Sequence, residues 1–256
     1  MDVTLDFVTE LAKEAGQILL DGLDDVHILD YKGPTNIVTE IDKKAEDFIV
    51  GRIKEDFPDH TIIAEESGKT QGNQGKNWYI DPVDGTSNYA RGLPLFAVSI
   101  GFEEAGVMRF GCVYDPVRGE SFSAKKGEGA WLNDRAIQVS QTSKLIDAML
   151  VTGFPYDIHN ENNNLDHFSE IIKQVHVVRR LGSAALDQVY VACGRLDAYW
   201  EIGVESWDIA AGTLIVEEAG GKVTTLKGEN EYMVPPYAVL VSNGILHEDL
   251  LTFFSK

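Results

Sequence analysis

WYIDPVDGTSNY, residues 78–89, sets two aspartates directly after a short apolar strand and just before a predicted short helix. Asp81 stands at the end of the strand, because the proline that follows it cannot extend a sheet ladder. Gly85 permits an unusual backbone turn, after which Thr86 opens the helix. The turn presents two carboxylates and the Val83 carbonyl, hard oxygen ligands suited to Mg²⁺, beside free N–H groups suited to phosphate. A surface turn with two aspartates is the alternative, and these residues alone leave both interpretations open.

Three further acidic positions accompany this turn, and each has an ordinary structural explanation. Residues 65–67, Glu-Glu-Ser, follow another apolar β run, where a solvated acidic turn is common. In residues 201–208, Ser206 is predicted to be a helix N-cap, which places Asp208 in the first helical turn. Asp42 lies early in a second predicted helix. The helix dipole favours both aspartates there without any catalytic role.

The composition is that of an ordinary soluble globular protein, with 256 residues, 44% hydrophobic and 25% charged. Asp and Glu number 41 against 22 Lys and Arg, a formal charge of −19, which makes nucleic acid an unexpected partner. The acidic excess favours either solubility or convergence of carboxylates on cations, and composition does not separate the two. The acidic N-terminus is unlike a signal peptide, and no apolar run reaches membrane-spanning length. We therefore expect a cytoplasmic protein with no membrane partner.

Helical and strand patterns alternate along the chain. Apolar periodicity predicts helices over residues 2–22, 39–57, 166–174, 183–194, 206–219 and 246–254. Short or alternating apolar runs predict strands over residues 61–64, 78–80, 97–102, 108–114, 120–124, 175–180, 198–202, 223–226 and 238–242. The glycine-rich residues 67–76 are predicted to form a flexible loop. This order favours a layered α/β or α+β architecture, in which residues 1–142 and 143–256 pack as two lobes of one domain.

Four segments carry a resemblance to a known family: residues 65–67, 81–86, 207–212 and 217–221. In order and spacing they are similar to the motifs of the inositol monophosphatase family, within the Mg²⁺-dependent, lithium-sensitive sugar phosphatases. The resemblance covers nearly the whole chain. It implies a single α+β catalytic domain with alternating α-β-α-β-α layers. It also implies hydrolysis of a phosphate monoester by direct attack of a metal-activated water, with no covalent phosphoenzyme.

The resemblance further implies a role for individual residues. One Mg²⁺ would be held by Glu65, Asp81 and the Val83 carbonyl, and a second by Asp81, Asp84 and Asp208, with a weaker third near Glu65. Glu65 and Thr86 would orient or deprotonate the water, and Asp42 is included with them as catalytic. The groups expected to contact the substrate are Gly85, Thr86, Gly182, Ser183, Ala184, Glu201 and Asp208.

The sequence leaves more than one possibility open for the substrate and for the class of function. Inositol monophosphate is the leading substrate, and fructose-1,6-bisphosphate, the 2′-phosphate of NADP and 3′-phosphoadenosine 5′-phosphate are the alternatives within the fold. A different class of function is an acidic metal-binding interaction protein without catalysis. Lys32 is a candidate for contacting phosphate, whereas Arg179, Arg180 and the loop at residues 154–159 receive no role. The family resemblance also implies a homodimer and inhibition by Li⁺.

Overall fold

The computed structural model describes residues 2–23, 28–31, 37–154 and 163–255. Its helices are α1 Leu5–Asp21, α2 Glu40–Asp56, α3 Thr86–Tyr89, α4 Asn163–Ile171, α5 Ala184–Ala192, α6 Ser206–Glu218 and α7 His247–Phe254. Its strands are β1 Ile28–Tyr31, β2 Ile37–Thr39, β3 His60–Ala64, β4 Gly68–Lys69, β5 Asn73–Asp84, β6 Ala97–Glu104, β7 Val107–Asp115, β8 Glu120–Lys125, β9 Ala130–Leu132, β10 Arg135–Ala136, β11 Met149–Thr152, β12 Val177–Arg179, β13 Ala198–Ile202, β14 Lys222–Thr224 and β15 Ala238–Ser242.

Two large sheets organise these strands. The first has the order β10-β9-β8-β7-β6-β5-β3-β4, and the second has the order β12-β11-β13-β15-β14. In the first sheet β3 runs parallel to β5, and the other neighbours are antiparallel. The end of β3 and the end of β5 therefore meet at one edge, where the acidic turns that follow them come together.

The first helical layer covers one face of the eight-stranded sheet. α1 begins at Thr4, whose hydroxyl accepts a hydrogen bond from Phe7 N at 3.2 Å and so caps the helix. The apolar faces of α1 and α2 pack with the sheet in one buried cluster that includes Leu11, Ile49 and Trp78. Burial of this cluster fixes α2, and with it Asp42, over the end of β5.

The central layer, α5 and α6, lies between the two sheets. α6 approaches the eight-stranded sheet so closely that a Cβ added to Gly111 would lie 2.8 Å from Ala211 O. A Cβ added to Gly101 would lie 3.1 Å from Ala210 Cβ. The small residues of the segment 207–212 are therefore explained by close packing of a helix on a sheet.

The outer layer, α4 and α7, covers the far face of the five-stranded sheet, with Ile171 and Leu250 packed against Trp200. The layers thus run α-β-α-β-α, which confirms the predicted fold class. The eight-stranded sheet ends at Ala136 and the five-stranded sheet begins at Met149. The division into lobes at residue 142 stays a prediction.

Some local expectations were wrong. The predicted flexible loop at residues 67–76 contains β4 and the start of β5, which pairs with β6 from Lys76 onward. β5 also continues beyond residue 80 to Asp84, with its register interrupted between Asp81 and Asp84. The interruption falls on Pro82, which has no N–H to donate to the ladder. β11 lies in a stretch for which no strand was predicted.

Two remaining features are the state of the cysteines and the absence of membrane-spanning helices in the described ranges. Cys112 is buried, whereas Cys193 is partly exposed, and both are free thiols. None of the helices within the described ranges is long and apolar enough to cross a bilayer. Lys32 and residues 155–159 of the loop at 154–159 lie outside the described residues.

Candidate active site

A cleft of about 550 Å³ opens where the ends of β3 and β5 meet the first turns of α5 and α6. The predicted site residues that line it are Glu65, Asp81, Val83, Asp84, Gly85, Thr86, Gly182, Ser183, Ala184, Glu201 and Asp208. Asp42 does not line the cleft and lies behind Thr86. Arg180 is at the wall of the cleft, with its guanidinium 5.3 Å from the centre of the Phe154 ring. Arg179 ends β12 and is exposed.

Asp81 and Asp84 occupy the irregular end of β5, and both are buried, with 2% and 7% of their surfaces exposed. Val83 N donates to Asp81 Oδ1 at 3.0 Å, which fixes that carboxylate within its own turn. Asp84 accepts hydrogen bonds from Ala184 N at 3.1 Å and from Ala185 N at 2.9 Å, and also from the Ser183 hydroxyl. Asp84 therefore joins the end of β5 to the first turn of α5.

Asp208 is brought to the same place by the first turn of α6. Its Oδ2 accepts from Glu205 N at 2.7 Å, and the N-cap of α6 is Glu205 rather than the predicted Ser206. One carboxylate oxygen from each of Asp81, Asp84 and Asp208 lies within 4.8 Å of the others. Three of the chain's acidic side chains therefore converge at a position where they could hold a cation.

Burial is the main cause that raises the pKa of each of these three carboxyls. The pKa of Asp81 rises well above its ordinary value, first through burial and then through the charges of Glu65, Asp84 and Asp208. Burial also raises the pKa of Asp84, to about 6, although hydrogen bonds from Ser183 and the α5 backbone oppose the shift. Asp208 shifts in the same direction through burial and the charge of Asp84. Ionising all three at once requires a compensating cation, and clustered carboxylate oxygens fit a hard divalent ion.

Glu65 is half-buried at the turn after β3, and its backbone N donates to Ile80 O at 3.2 Å. The turn is held from behind by Glu46 of α2, which is 3% exposed. The carboxylate of Glu46 accepts from Glu66 N and Ser67 N, both at 2.7 Å. Sequence reasoning missed Glu46, whose only signal was a second acidic residue one helical turn after Asp42.

Asp42 is completely buried and connects the start of α2 to Thr86. Its Oδ2 accepts from Thr39 N at 3.0 Å, and its Oδ1 lies 3.0 Å from Thr86 Oγ1. Thr86 Oγ1 is also 3.0 Å from Val83 O. Burial raises the pKa of Asp42, and the hydrogen bonds from Thr39 and Thr86 oppose the shift. Asp42 therefore does two things: it caps α2 and it orients the Thr86 hydroxyl.

Gly85 is needed at its position for a steric reason. Its φ is +96°, and an added Cβ would lie 2.9 Å from Leu95 O. Asn88, which sequence reasoning did not single out, donates from Nδ2 to Leu95 O and to Leu181 O, both at 2.8 Å. These bonds hold the turn containing Gly85 against Gly182, across the cleft.

Glu201, near the end of β13, also lines the cleft. Its Oε2 accepts from Tyr199 OH at 2.8 Å. An added Cβ at Gly153 would lie 2.1 Å from Glu201 Oε2, and the carboxylate therefore packs directly on that glycine. Burial raises the pKa of Glu201 to about 7, opposed by the hydroxyl of Tyr199 and the charge of Arg180.

With this geometry in view, comparison with known proteins gives a single family. A model of the inositol monophosphatase family matches residues 1–256. The chain belongs to the inositol monophosphatase family. The predicted family and the predicted type of enzyme are confirmed: it is a phosphoric monoester hydrolase. The family is metal-dependent, and the cluster of Asp81, Asp84 and Asp208 could hold a metal.

Individual relatives are similar over almost their whole length. "Nus factor SuhB" of Pasteurella multocida is 41% identical over 255 residues, which cover 98% of this chain and 95% of that protein. "Inositol-1-monophosphatase" of Synechocystis sp. is 42% identical over 254 residues, 96% of this chain and 86% of that protein. Among solved structures, inositol monophosphatase from Anabaena (Nostoc) sp. is 43% identical with a TM-score of 0.89, covering 98% of this chain and 94% of that one.

Proposed function

We propose that the chain is a Mg²⁺-dependent phosphatase that hydrolyses a polyol monophosphate, with inositol monophosphate as the leading substrate. The observation that carries the proposal is the convergence of Asp81, Asp84 and Asp208 within 4.8 Å in a cleft that Glu201 also lines. The names of relatives do not decide the substrate, since relatives of two names are 41% and 42% identical to this chain.

The metal ligands in this proposal are oxygens of Glu65, Asp81, the Val83 carbonyl, Asp84 and Asp208. Mg²⁺ bound there would neutralise the carboxylates, lower the pKa of the attacking water and stabilise the leaving oxygen. Asp81, central to the turn, is the residue expected to bridge two ions. A third, weaker ion near Glu65 belongs to the same proposal.

The protein's own groups position the phosphate and the water. Backbone N–H groups of Gly85 and Thr86 face the phosphate oxygens. The Thr86 hydroxyl donates to Asp42, which leaves its oxygen free to accept a hydrogen bond from the water. Glu65 accepts the proton that the water loses, held in place by the turn that Glu46 fixes.

The polarity of the cleft favours a substrate with one phosphate. Seven carboxyl residues line it, and the described residues that line it include one cation, Arg180. A second phosphate would have Arg180 as its one cationic partner among those residues and would be repelled by Glu201 in its ionised form. Hydroxyl groups suit the surroundings of Glu201, since a carboxyl group can both accept and, when protonated, donate. Fructose-1,6-bisphosphate, NADP and 3′-phosphoadenosine 5′-phosphate are therefore less suitable than inositol monophosphate.

Release of inorganic phosphate tests the proposal. Purified protein with Mg²⁺ is expected to hydrolyse inositol 1-phosphate with a higher kcat/KM than the three alternatives, and EDTA should abolish the activity. No release from any ester with Mg²⁺ would instead favour a metal-binding interaction protein. A higher kcat/KM on a bisphosphate would overturn the substrate assignment alone.

Assembly and location complete the proposal. We expect a homodimer, because closed two-fold pairs are the commonest oligomers and the family resemblance implies one. Light scattering that gives a monomer at micromolar concentration would contradict it. The cytoplasmic location expected from the sequence stays a proposal, and fractionation of the source cells tests it.

A further inference from the structure

Asp187 lines the cleft and has no role in the chemistry described above. It lies in the first turn of α5, one turn after Ser183, and 1% of its surface is exposed. Within the described residues its carboxyl oxygens take part in no hydrogen bond, and Oδ1 is fully enclosed. A buried polar group without a partner costs stability, because it loses hydrogen bonds to water and gains none. Such a group at the wall of a binding cleft requires an explanation.

The surroundings of Asp187 favour the neutral form of its carboxyl. Burial raises its pKa well above the ordinary value, and the charges of Glu201 and Asp84 add to the shift. A neutral carboxyl carries one O–H donor. Its neighbour Glu201 has one oxygen engaged by Tyr199 OH, which leaves the other for a further hydrogen bond. The cleft lining thus combines an unpaired donor, Asp187, with an available acceptor, Glu201.

We propose that Asp187 is a substrate-binding residue, which together with Glu201 binds two neighbouring hydroxyl groups of the polyol. This inference rests on the proposed function and extends it to a residue that determines specificity. Adjacent hydroxyls match the pair, since one accepts from Asp187 while the other donates to Glu201. Because Oδ1 is fully enclosed, Oδ2 is the oxygen through which Asp187 contacts a ligand in the cleft, and the ligand supplies a partner that the described residues do not.

Two variants separate recognition from structure. Asp187→Leu keeps a similar volume and removes both hydrogen-bonding oxygens, whereas Asp187→Asn keeps a donor and an acceptor. Removing a buried unpaired carboxyl is not expected to lower the unfolding temperature. Asp187→Ala is the second variant should leucine not fit, because a deletion cannot clash.

The test compares inositol 1-phosphate with cyclohexyl phosphate, which has the same ring and no hydroxyl groups. Asp187→Leu is expected to raise KM for inositol 1-phosphate about tenfold, the order of one lost hydrogen bond, and to leave kcat/KM for cyclohexyl phosphate within about twofold. Asp187→Asn should stay near wild type on both substrates.

Other outcomes overturn the inference in distinguishable ways. Equal losses on both substrates, or no loss on either, would make Asp187 structural and leave the proposed function intact. Wild-type protein that cleaves cyclohexyl phosphate but not inositol 1-phosphate would overturn both the proposed function and this inference.

Discussion

Two groups of buried carboxyls line the cleft, and each can avoid uncompensated negative charge in a different way. Asp81, Asp84 and Asp208, the proposed metal end, converge within 4.8 Å, whereas Asp187 and Glu201, the proposed polyol end, line the same cleft outside that cluster. Burial is the first cause of the raised pKa in every one of these five groups. The three clustered carboxylates can share a cation, whereas the raised pKa values of Asp187 and Glu201 favour a bound proton.

This difference teaches how one acidic cleft can serve two tasks. Carboxylates that share a cation hold the charges needed for phosphate chemistry, and carboxyls that hold protons offer hydrogen bonds to neutral hydroxyls.

The largest effect is expected from Asp81→Asn. Loss of the central carboxylate should lower kcat/KM by at least about a thousandfold, because it weakens cation binding at the heart of the cluster. The fold should survive, since the change removes charge repulsion among buried carboxyls, and the unfolding temperature in EDTA should not fall. Activity within tenfold of wild type would contradict a cation-binding role for Asp81. Asp197→Asn, at a buried aspartate that accepts from Met149 N outside the cleft, is the control.

The next effect concerns Glu65. Glu65→Gln should lower kcat about a hundredfold with little change in KM, because the amide cannot accept the proton of the attacking water. Glu66→Gln, the adjacent change outside the cleft lining, is the matched control and should leave kcat near wild type. An unchanged kcat with a raised KM for Glu65→Gln would assign Glu65 to substrate binding instead.

The sequence predicted the metal end far better than the polyol end. Asp81 and Asp84 lie three residues apart after an apolar run, and strand ends and tight turns are local features that a sequence displays. Asp208 was placed by family motifs, since its approach to Asp81 depends on the close packing of α6 on Gly101 and Gly111.

The residues that sequence reasoning missed act over long distances in the chain. Asp187 sits within an apolar helix, and nothing local shows that its carboxyl would face a cleft. Glu46 and Asn88 have ordinary side chains that become important only when turns from distant segments meet them. The wrong expectation at residues 67–76 arose because glycine and polar residues favour loops, whereas sheet pairing overrides that preference.

A smaller effect is expected from Li⁺. Li⁺ is close to Mg²⁺ in size but carries half the charge. It could occupy the site between Asp81, Asp84 and Asp208 and yet stabilise a leaving oxygen less well than Mg²⁺ does. Millimolar LiCl should therefore reduce activity several-fold more than KCl at equal ionic strength, in an uncompetitive or mixed manner. Asp208→Asn, assayed on its residual activity, should weaken the inhibition. Identical effects of LiCl and KCl would contradict Li⁺ binding at the metal end.

The smallest effect is a pH dependence of stability from Glu201, measured on metal-free protein. Its pKa is about 7 in the folded chain and about 4.3 when unfolded. Between those values the folded state holds a proton that the unfolded state has released, and raising the pH therefore favours unfolding. The stability that this proton contributes is complete below about pH 4 and is lost as the pH rises through about 7. Glu201→Gln removes this contribution.

The unfolding temperature of the wild type should accordingly fall from pH 5 to pH 8 by a few degrees more than that of Glu201→Gln. Asp81, Asp84, Asp187 and Asp208 shift in the same direction, and the difference between the two proteins isolates Glu201. Tyr199→Phe sharpens the test, because it deletes a hydrogen bond that lowers the pKa of Glu201 and should move the loss to higher pH. Parallel curves for wild type and Glu201→Gln would show that the polyol end holds no such proton, and its contrast with the metal end would then disappear.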